Sequence, residues 1–249
     1  MSEKSFVIAQ FTDCHLFADK NAEHFGANVW QNLLLVLANI AKTKNIDCAV
    51  FTGDLTQDHS ETSYQHFVEA VTQAQLTIPV YFLAGNHDDR ALLTSHLIAP
   101  TFQTNKSFGN DFWQVQLLDS KSDTPSGVIS PESLNALSKK MDKSKFQLLM
   151  MHHHPLNIGY YIDQHGLKNQ DYFWQTITQL NNSNNIKAIA CGHVHRASQL
   201  SKQNIAIYTC PATSIQFGET KEQAGSITPS YRILYLEANG TINSDIITP

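Results

Sequence analysis

Phe6-Val7-Ile8-Ala9-Gln10-Phe11, followed at once by Thr12-Asp13-Cys14-His15, is the stretch whose reading decides the architecture. A short, almost wholly apolar run has the length of a buried strand, and the polar turn after it leaves a carboxylate and an imidazole at the strand end. The same pattern then recurs along the chain. Val29–Ile40 carries apolar residues at Val29, Leu33, Leu37 and Ile40, the spacing of one helix face, and Cys48–Thr52 is again strand-like. Glu61–Gln73 reads as a helix, Val80–Ala84 as a strand, Arg90–Leu97 as a shorter helix and Trp113–Leu118 as a strand. Ser130 as N-cap with Pro131 at the first helical position signals the next helix. Leu148–Met151 is then a strand, Asp171–Leu180 a helix, and Ile186–Cys191 a buried strand, with strand-like pieces at Ile205–Thr209, Tyr231–Leu236 and Ile242–Ile247. Strands apolar on both faces need cover on both. The expected fold is α/β, a layered α/β-β-α sandwich with two mixed β-sheets flanked by helices, forming one domain over residues 1–249.

Composition narrows the function. A net charge of -5 over 249 residues disfavours a grip on nucleic acid backbone, which needs many Lys and Arg, so a small substrate is expected and a nucleic acid partner is not. Met1-Ser2-Glu3-Lys4-Ser5 has no signal-peptide character, and no stretch reaches transmembrane length, so a soluble cytoplasmic protein is expected; homo-oligomerisation is left open. Cys14, Cys48, Cys191 and Cys210 form no CxxC pair and read as reduced core thiols. Trp30, Trp113 and Trp174 read as packing residues, and the polar stretch 218–229 as a long, mobile or functional loop.

Histidine is over-represented at 12 residues, and its placement carries the chemistry. Successive strands end in Asp13-Cys14-His15, Gly53-Asp54, Gly85-Asn86-His87-Asp88, His152-His153-His154-Pro155 and Gly192-His193-Val194-His195. Each block alone reads as an ordinary polar turn. Residues two apart in an extended segment point the same way, so Asp13 with His15, and His193 with His195, are expected to converge. Five such turns at strand carboxyl ends, where ligands of open α/β sheets collect, point to one site. An Asp, Asn and His set without thiolate suits Mn, Fe, Co or Zn, with Fe and Mn favoured, and the donors exceed what one ion needs. Two divalent metal ions about 3.5–4 Å apart are therefore expected.

The order and spacing of these five blocks resemble the calcineurin-like metallophosphoesterase superfamily, over residues 13 to 195. Thr12–Phe17, Gly53–Asp58, Tyr64–Phe67, His152–Leu156 with Asp163-Gln164-His165, and Ser214–Phe217 are similar to the bacterial class III 3′,5′-cyclic AMP phosphodiesterases. The resemblance implies that Asp13, His15, Asp54 and His195 hold one ion and Asp54, Asn86, His152 and His193 the other, with Asp54 bridging. It implies catalytic roles for His87 and Asp54, and substrate contacts at His15, Asp54, Asn86, His87 and His195. Of the three consecutive histidines it points to the first, leaving His153 and His154 as supports. Purple acid phosphatases carry a tyrosine ligand three residues after the bridging Asp; Gln57 stands there, so no tyrosinate-iron site is expected.

The implied activity is metal-dependent hydrolysis of a cyclic nucleotide, 3′,5′-cyclic AMP to 5′-AMP, by a metal-bridging hydroxide. His87 would serve as general acid or imidazolium, oriented by Asp88 or Asp58. A broader phosphoesterase acting on 2′,3′-cyclic nucleotides, phosphomonoesters or other diesters is the alternative. A non-catalytic metal-binding scaffold is disfavoured, because a scaffold has no use for His87. His24, His59, His66, His96 and His165 fall outside the metal blocks, with His165 near enough to the His152 segment to line a pocket.

Overall fold

The computed structural model describes residues 4–218, 220 and 224–249. Its frame is two six-stranded mixed sheets face to face. The first runs in the order Ile242–Ile247, Tyr231–Leu236, Phe6–Phe11, Cys48–Phe51, Val80–Phe82 and Phe102–Gln103. Phe6–Phe11 pairs in parallel with Cys48–Phe51 and antiparallel with Tyr231–Leu236, so the two ends of the chain close one sheet. The second runs Ser198–Lys202, Ile205–Thr209, Ile186–Cys191, Phe146–Met151, Trp113–Leu118 and Ser107–Gly109, with parallel pairing across its four central strands. This is the layered arrangement expected. The short edge strands Phe102–Gln103, Ser107–Gly109 and Ser198–Lys202 had no apolar run to betray them.

Three apolar clusters hold the layers. Val29–Lys42 and Glu61–Gln73 pack on the outer face of the first sheet, burying Val29, Leu33, Leu37, Ile40, Tyr64 and Phe67. Pro131–Lys140, capped by the Ser130 side chain on the Ser133 amide, and Gln170–Leu180 cover the second. Between the sheets lie Ile8, Val50, Leu148, Met150, Ala188 and Ala190, with Trp113 fully buried beside them. Trp30 and Trp174 are also buried, and all four cysteines are free and buried. The parallel strands of both sheets deliver their carboxyl ends to one rim, which is why five polar turns far apart in sequence meet.

One expectation changes. The stretch 218–229 is not wholly irregular: Ala224–Ser226 pairs with Gln216–Phe217, while residues 219 and 221–223 lie outside the described residues, as do Met1 to Glu3 of the amino-terminal reading. Among the described residues no helix is long and apolar enough to cross a membrane.

Alanine at 188 and 190 lets the sheets approach, so Ala190→Leu should lower stability by about 1–3 kcal/mol in denaturant unfolding, from overpacking.

Candidate metal centre

The turns after the strands are bound to one another before any ligand is considered. Asp13 and His15 donate their amides to the carbonyls of Gly53 and Asp54, at 2.8 and 3.1 Å. Asp88 gathers the rest: its buried carboxylate accepts the amides of Asp54 (2.8 Å), Leu55 (2.7 Å) and Gly85 (2.8 Å). Burial and the neighbouring Asp54 push its pKa up to about 6, and the converging amides favour the ionised form. Asp88 therefore ties the second and third turns together. It does not orient His87, and neither does Asp58, whose oxygens accept from Ala18 and Ser60. The expectation for both was wrong: adjacent side chains leave a turn in different directions, which parts Asp88 from His87, and the Asp58 oxygens are taken up by Ala18, Thr56 and Ser60.

Backbone conformation aims the ligands. Asp13, His15, Asp54, His193 and His195 all have positive φ, between 47° and 69°. Left-handed backbone costs about 1–2 kcal/mol per non-glycine residue. The extended i, i+2 geometry expected from sequence is thus not what brings these side chains in. Asp13 and His15 do share a group, but His193 turns toward His152 and His195 toward His15. Gly53, at φ +100°, and Gly85 are needed for close approach: a Cβ on Gly85 would strike the Asp54 carboxylate and the His152 ring.

Each carboxylate is anchored by one oxygen and presents the other. Asp13 accepts the His193 amide on Oδ2 (3.0 Å), while its buried Oδ1, with no hydrogen-bond partner among the described residues, lies 3.3 Å from His195 Nε2 and 3.9 Å from His15 Nε2. Asp54 accepts the His87 amide on Oδ1 (2.9 Å), and its Oδ2 faces two ways, 3.8 Å from His15 Nε2 and 3.3 Å from His152 Nε2. His152 Nε2 in turn lies 3.1 Å from Asn86 Oδ1 and 3.2 Å from His193 Nδ1. Two groups of four donor atoms thus share Asp54 Oδ2.

Hydrogen bonds behind the imidazoles fix their tautomers. His15 Nδ1 donates to Gln57 Oε1 (2.7 Å), His195 Nδ1 to the Ile215 carbonyl (2.8 Å) and His152 Nδ1 to the Thr52 carbonyl (2.8 Å). With Nδ1 donating, Nε2 is the lone-pair atom of each ring in its neutral form. Yet His15 Nε2 and His195 Nε2 are 3.0 Å apart, lone pair against lone pair, an arrangement that calls for a cation between them. Burial, with His195 adding to it, holds His15 well below the usual imidazole range, and burial does the same to His193. Burial opposes charge on His152 too, but the Asp54 carboxylate carries it up to about 9, so a proton marks the place of positive charge there. Asp54 is conversely held well below the carboxylate range by His152, against the burial that would raise it.

The three consecutive histidines separate clearly. His153 is bonded at both nitrogens, to Ser120 Oγ (2.8 Å) and the Pro125 carbonyl (3.1 Å), although it lies close enough to His152 and His193 to form a group with them. His154 donates to Asp163 Oδ1 (3.1 Å), and Asp163 also accepts the amides of Ile158, Gly159 and Tyr160. His152 alone of the three turns its free nitrogen to Asp54. His87, half-buried, stands with His15 and Asp54 at the centre, its ring edge-on to His15 at 4.9 Å.

Several participants had no role assigned to them from the sequence. Gln57, read only as a missing tyrosine, orients His15 instead. His24 arrives on the hairpin Glu23–His24/Ala27–Asn28 with its ring 5.4 Å from that of His15. Phe217 stacks on His195 at 3.9 Å and 4°. His24 and Phe217 arrive on chain reversals outside the ligand blocks, and the partner of Gln57 lies 42 residues away in sequence.

The model of the calcineurin-like phosphoesterase family matches residues 6–197. The chain belongs to that family. It is a metallophosphoesterase, and the family works through a dinuclear divalent metal centre, which the shared, tautomer-fixed N and O donors fit. A Colwellia psychrerythraea protein named as a probable cyclic nucleotide phosphodiesterase is 46% identical over 255 residues, covering 99% of this chain and 96% of that one. The Escherichia coli K12 protein named 3′,5′-cyclic adenosine monophosphate phosphodiesterase CpdA is 34% identical, covering 96% and 88%. Among solved structures, GAP50 of Plasmodium superposes with a TM-score of 0.67 at 13% identity, covering 99% of this chain and 85% of its own. A purple acid phosphatase from yellow lupin gives 0.62 at 13%, with 100% and 54% covered. Those two likenesses show the fold alone.

Asp88→Asn should lower stability by about 2–4 kcal/mol in thermal or denaturant unfolding, because an amide NH₂ would face backbone N–H groups that now meet a carboxylate. Asp58→Asn, at an exposed turn, should cost well under half of that.

Proposed function

We propose that this chain hydrolyses 3′,5′-cyclic AMP to 5′-AMP, with one divalent ion held by Asp13, His15, Asp54 and His195 and a second by Asp54, Asn86, His152 and His193. The observation that carries the ligand assignment is Asp54 Oδ2, which faces His15 on one side and His152 on the other while its partner oxygen is fixed by the His87 amide. The donor set, imidazole nitrogen with carboxylate and amide oxygen, suits Mn, Fe, Co or Zn, of which we take Mn and Fe as the resident ions. The substrate reading is supported by the relatives named above, which cover nearly all of this chain. Free buried cysteines suit a reducing, cytoplasmic setting.

A phosphodiester is anionic and resists attack by water. Two bound divalent ions would polarise the phosphoryl oxygens and lower the pKa of water toward neutrality. The chain's own residues do the remainder. Water adds to phosphorus, the P–O3′ bond breaks, and the 3′ oxygen takes a proton as it leaves. His87 is placed to give that proton: its ring stands with Asp54 and His15 at the centre, and its backbone amide is tied to Asp54 Oδ1, which fixes where the ring can reach. Burial draws its pKa down while the neighbouring Asp54 carboxylate opposes that shift, so the protonated ring is a readier acid toward the leaving oxygen. Asn86, the neighbouring residue on the same turn, presents its oxygen to His152 Nε2 and so links metal binding to the placement of His87.

Protein loaded with Mn should turn over 3′,5′-cyclic AMP in preference to 2′,3′-cyclic AMP, a phosphomonoester and an aryl phosphodiester. Equal or better rates on the other three would replace this reading with that of a broad phosphoesterase. His87→Ala should keep its metal content by elemental analysis while kcat falls about 10²–10⁴-fold. Asn86→Ala should lose metal and turnover together. A His87→Ala enzyme with normal kcat would remove His87 from the reaction.

A further inference from the structure

A cavity of about 290 Å³ opens beside the centre, lined by Asn86 and His87 on one side and by His59, Lys121, Ser122 and Thr124 on the others. It is at the small end of ligand cavities, which run ~300–1,000 Å³. We propose that this cavity is the nucleoside subsite, where His59 stacks against the nucleobase and Lys121 supplies hydrogen-bond donors beside it. The subsite rests on the cyclic nucleotide reading above.

Position comes first. His87 forms a wall of both the centre and the cavity, so a sugar whose oxygen leaves with the His87 proton lies on the cavity side. The walls have nucleoside chemistry. The exposed His59 ring lies parallel to that of His87, 5.5 Å away at 7°. Its Nδ1 donates to the His87 carbonyl (2.9 Å), and its backbone is left-handed at φ +59°. An exposed aromatic plane pinned in this way is a preformed stacking surface. Because Nδ1 is the donor, Nε2 is an acceptor, suited to an exocyclic amino group or a ribose hydroxyl.

Lys121 is equally fixed. Its Nζ donates to the Asn86 carbonyl (2.8 Å), leaving further N–H donors for ring nitrogens or sugar oxygens. Its own segment is braced: the Lys121 amide is held by Asp119, its carbonyl by Arg90, and Arg90 pairs with Asp119 at 2.6 Å. The Ser122 hydroxyl donates to the Ser126 carbonyl (2.6 Å), closing the loop that forms the far wall. One aromatic face, one cation and a rim of hydroxyls, with the Asp123 carboxylate as a further acceptor for sugar hydroxyls or an exocyclic amino group, match a base with its sugar. A lipid tail would meet too many polar walls.

The test compares 5′-AMP with ribose 5-phosphate, which share the phosphate and sugar and differ by the base. Calorimetry on Mn-loaded protein should show 5′-AMP binding at least about tenfold more tightly, the scale of one stacked base. In His59→Ala that ratio should fall about tenfold, and His59→Phe, which keeps the plane, should restore most of it. Lys121→Met should raise KM for 3′,5′-cyclic AMP about tenfold with a smaller change in kcat, and Lys121→Arg should recover it. A purely structural role for either residue would move both ligands together and leave the ratio fixed. Equal affinity of the wild type for the two ligands, an unchanged ratio in His59→Ala, or equal loss in His59→Phe and His59→Ala overturns the subsite. A wild type that binds 5′-AMP selectively but turns over no cyclic nucleotide sinks the substrate reading and the subsite with it, an outcome separable from failure in the variants alone.

Discussion

Lone pairs are aimed at one another across about 3 Å in a buried space, and this frustration organises the centre. His15 and His195 present unprotonated nitrogens 3.0 Å apart, and Asp54 and Asp13 add oxygens to the same space. In water such groups would turn away or take up protons. Here they cannot turn, because each is held from behind by a backbone carbonyl, an amide or Gln57. The arrangement is tolerable when positive charge sits between the donors, so the protein is complementary to two cations before they bind.

That complementarity is maintained by strain and by a second carboxylate. Five of the residues proposed as ligands sit in left-handed backbone, and the turns that carry them are braced by one another's carbonyls and by Asp88. Strain of this kind persists where the surroundings over-determine it. The sheets provide the surroundings: parallel strands end at one rim, and the apolar layer between the sheets fixes how far apart their turns can be.

The same fold occurs in proteins described in quite different terms, among them a Plasmodium inner-membrane-complex anchor and a plant acid phosphatase. Function therefore resides in the site rather than in the layers. Gln57 illustrates the point: where purple acid phosphatases place a tyrosine ligand, this chain places a side chain that orients His15, so the position has changed from binding to steering. What surrounds the centre, including His24, His59, Phe217 and Lys121, is the part free to select a substrate.

Much of this was legible in the sequence. Apolar runs such as Phe6–Phe11 and Ile186–Cys191 reveal strands because burial on two faces leaves no polar alternation, and the Asp, Asn and His blocks after them are local patterns. Short edge strands were hidden for the opposite reason, since Phe102–Gln103 and Ser198–Lys202 bury too little to show a period. Which of His152, His153 and His154 faces Asp54 could not be read from adjacency, because each ring's direction is set by a partner distant in sequence: Thr52, Ser120 or Asp163. Asp88 looked like a brace for His87 and is instead an acceptor for amides more than thirty residues away. The sequence by itself determined the donor chemistry and the strand ends that carry it. Tertiary structure alone decided which atoms face one another, because the tautomers, the left-handed turns and the cavity beside His87 all depend on hydrogen bonds between segments that meet only when the two sheets have packed.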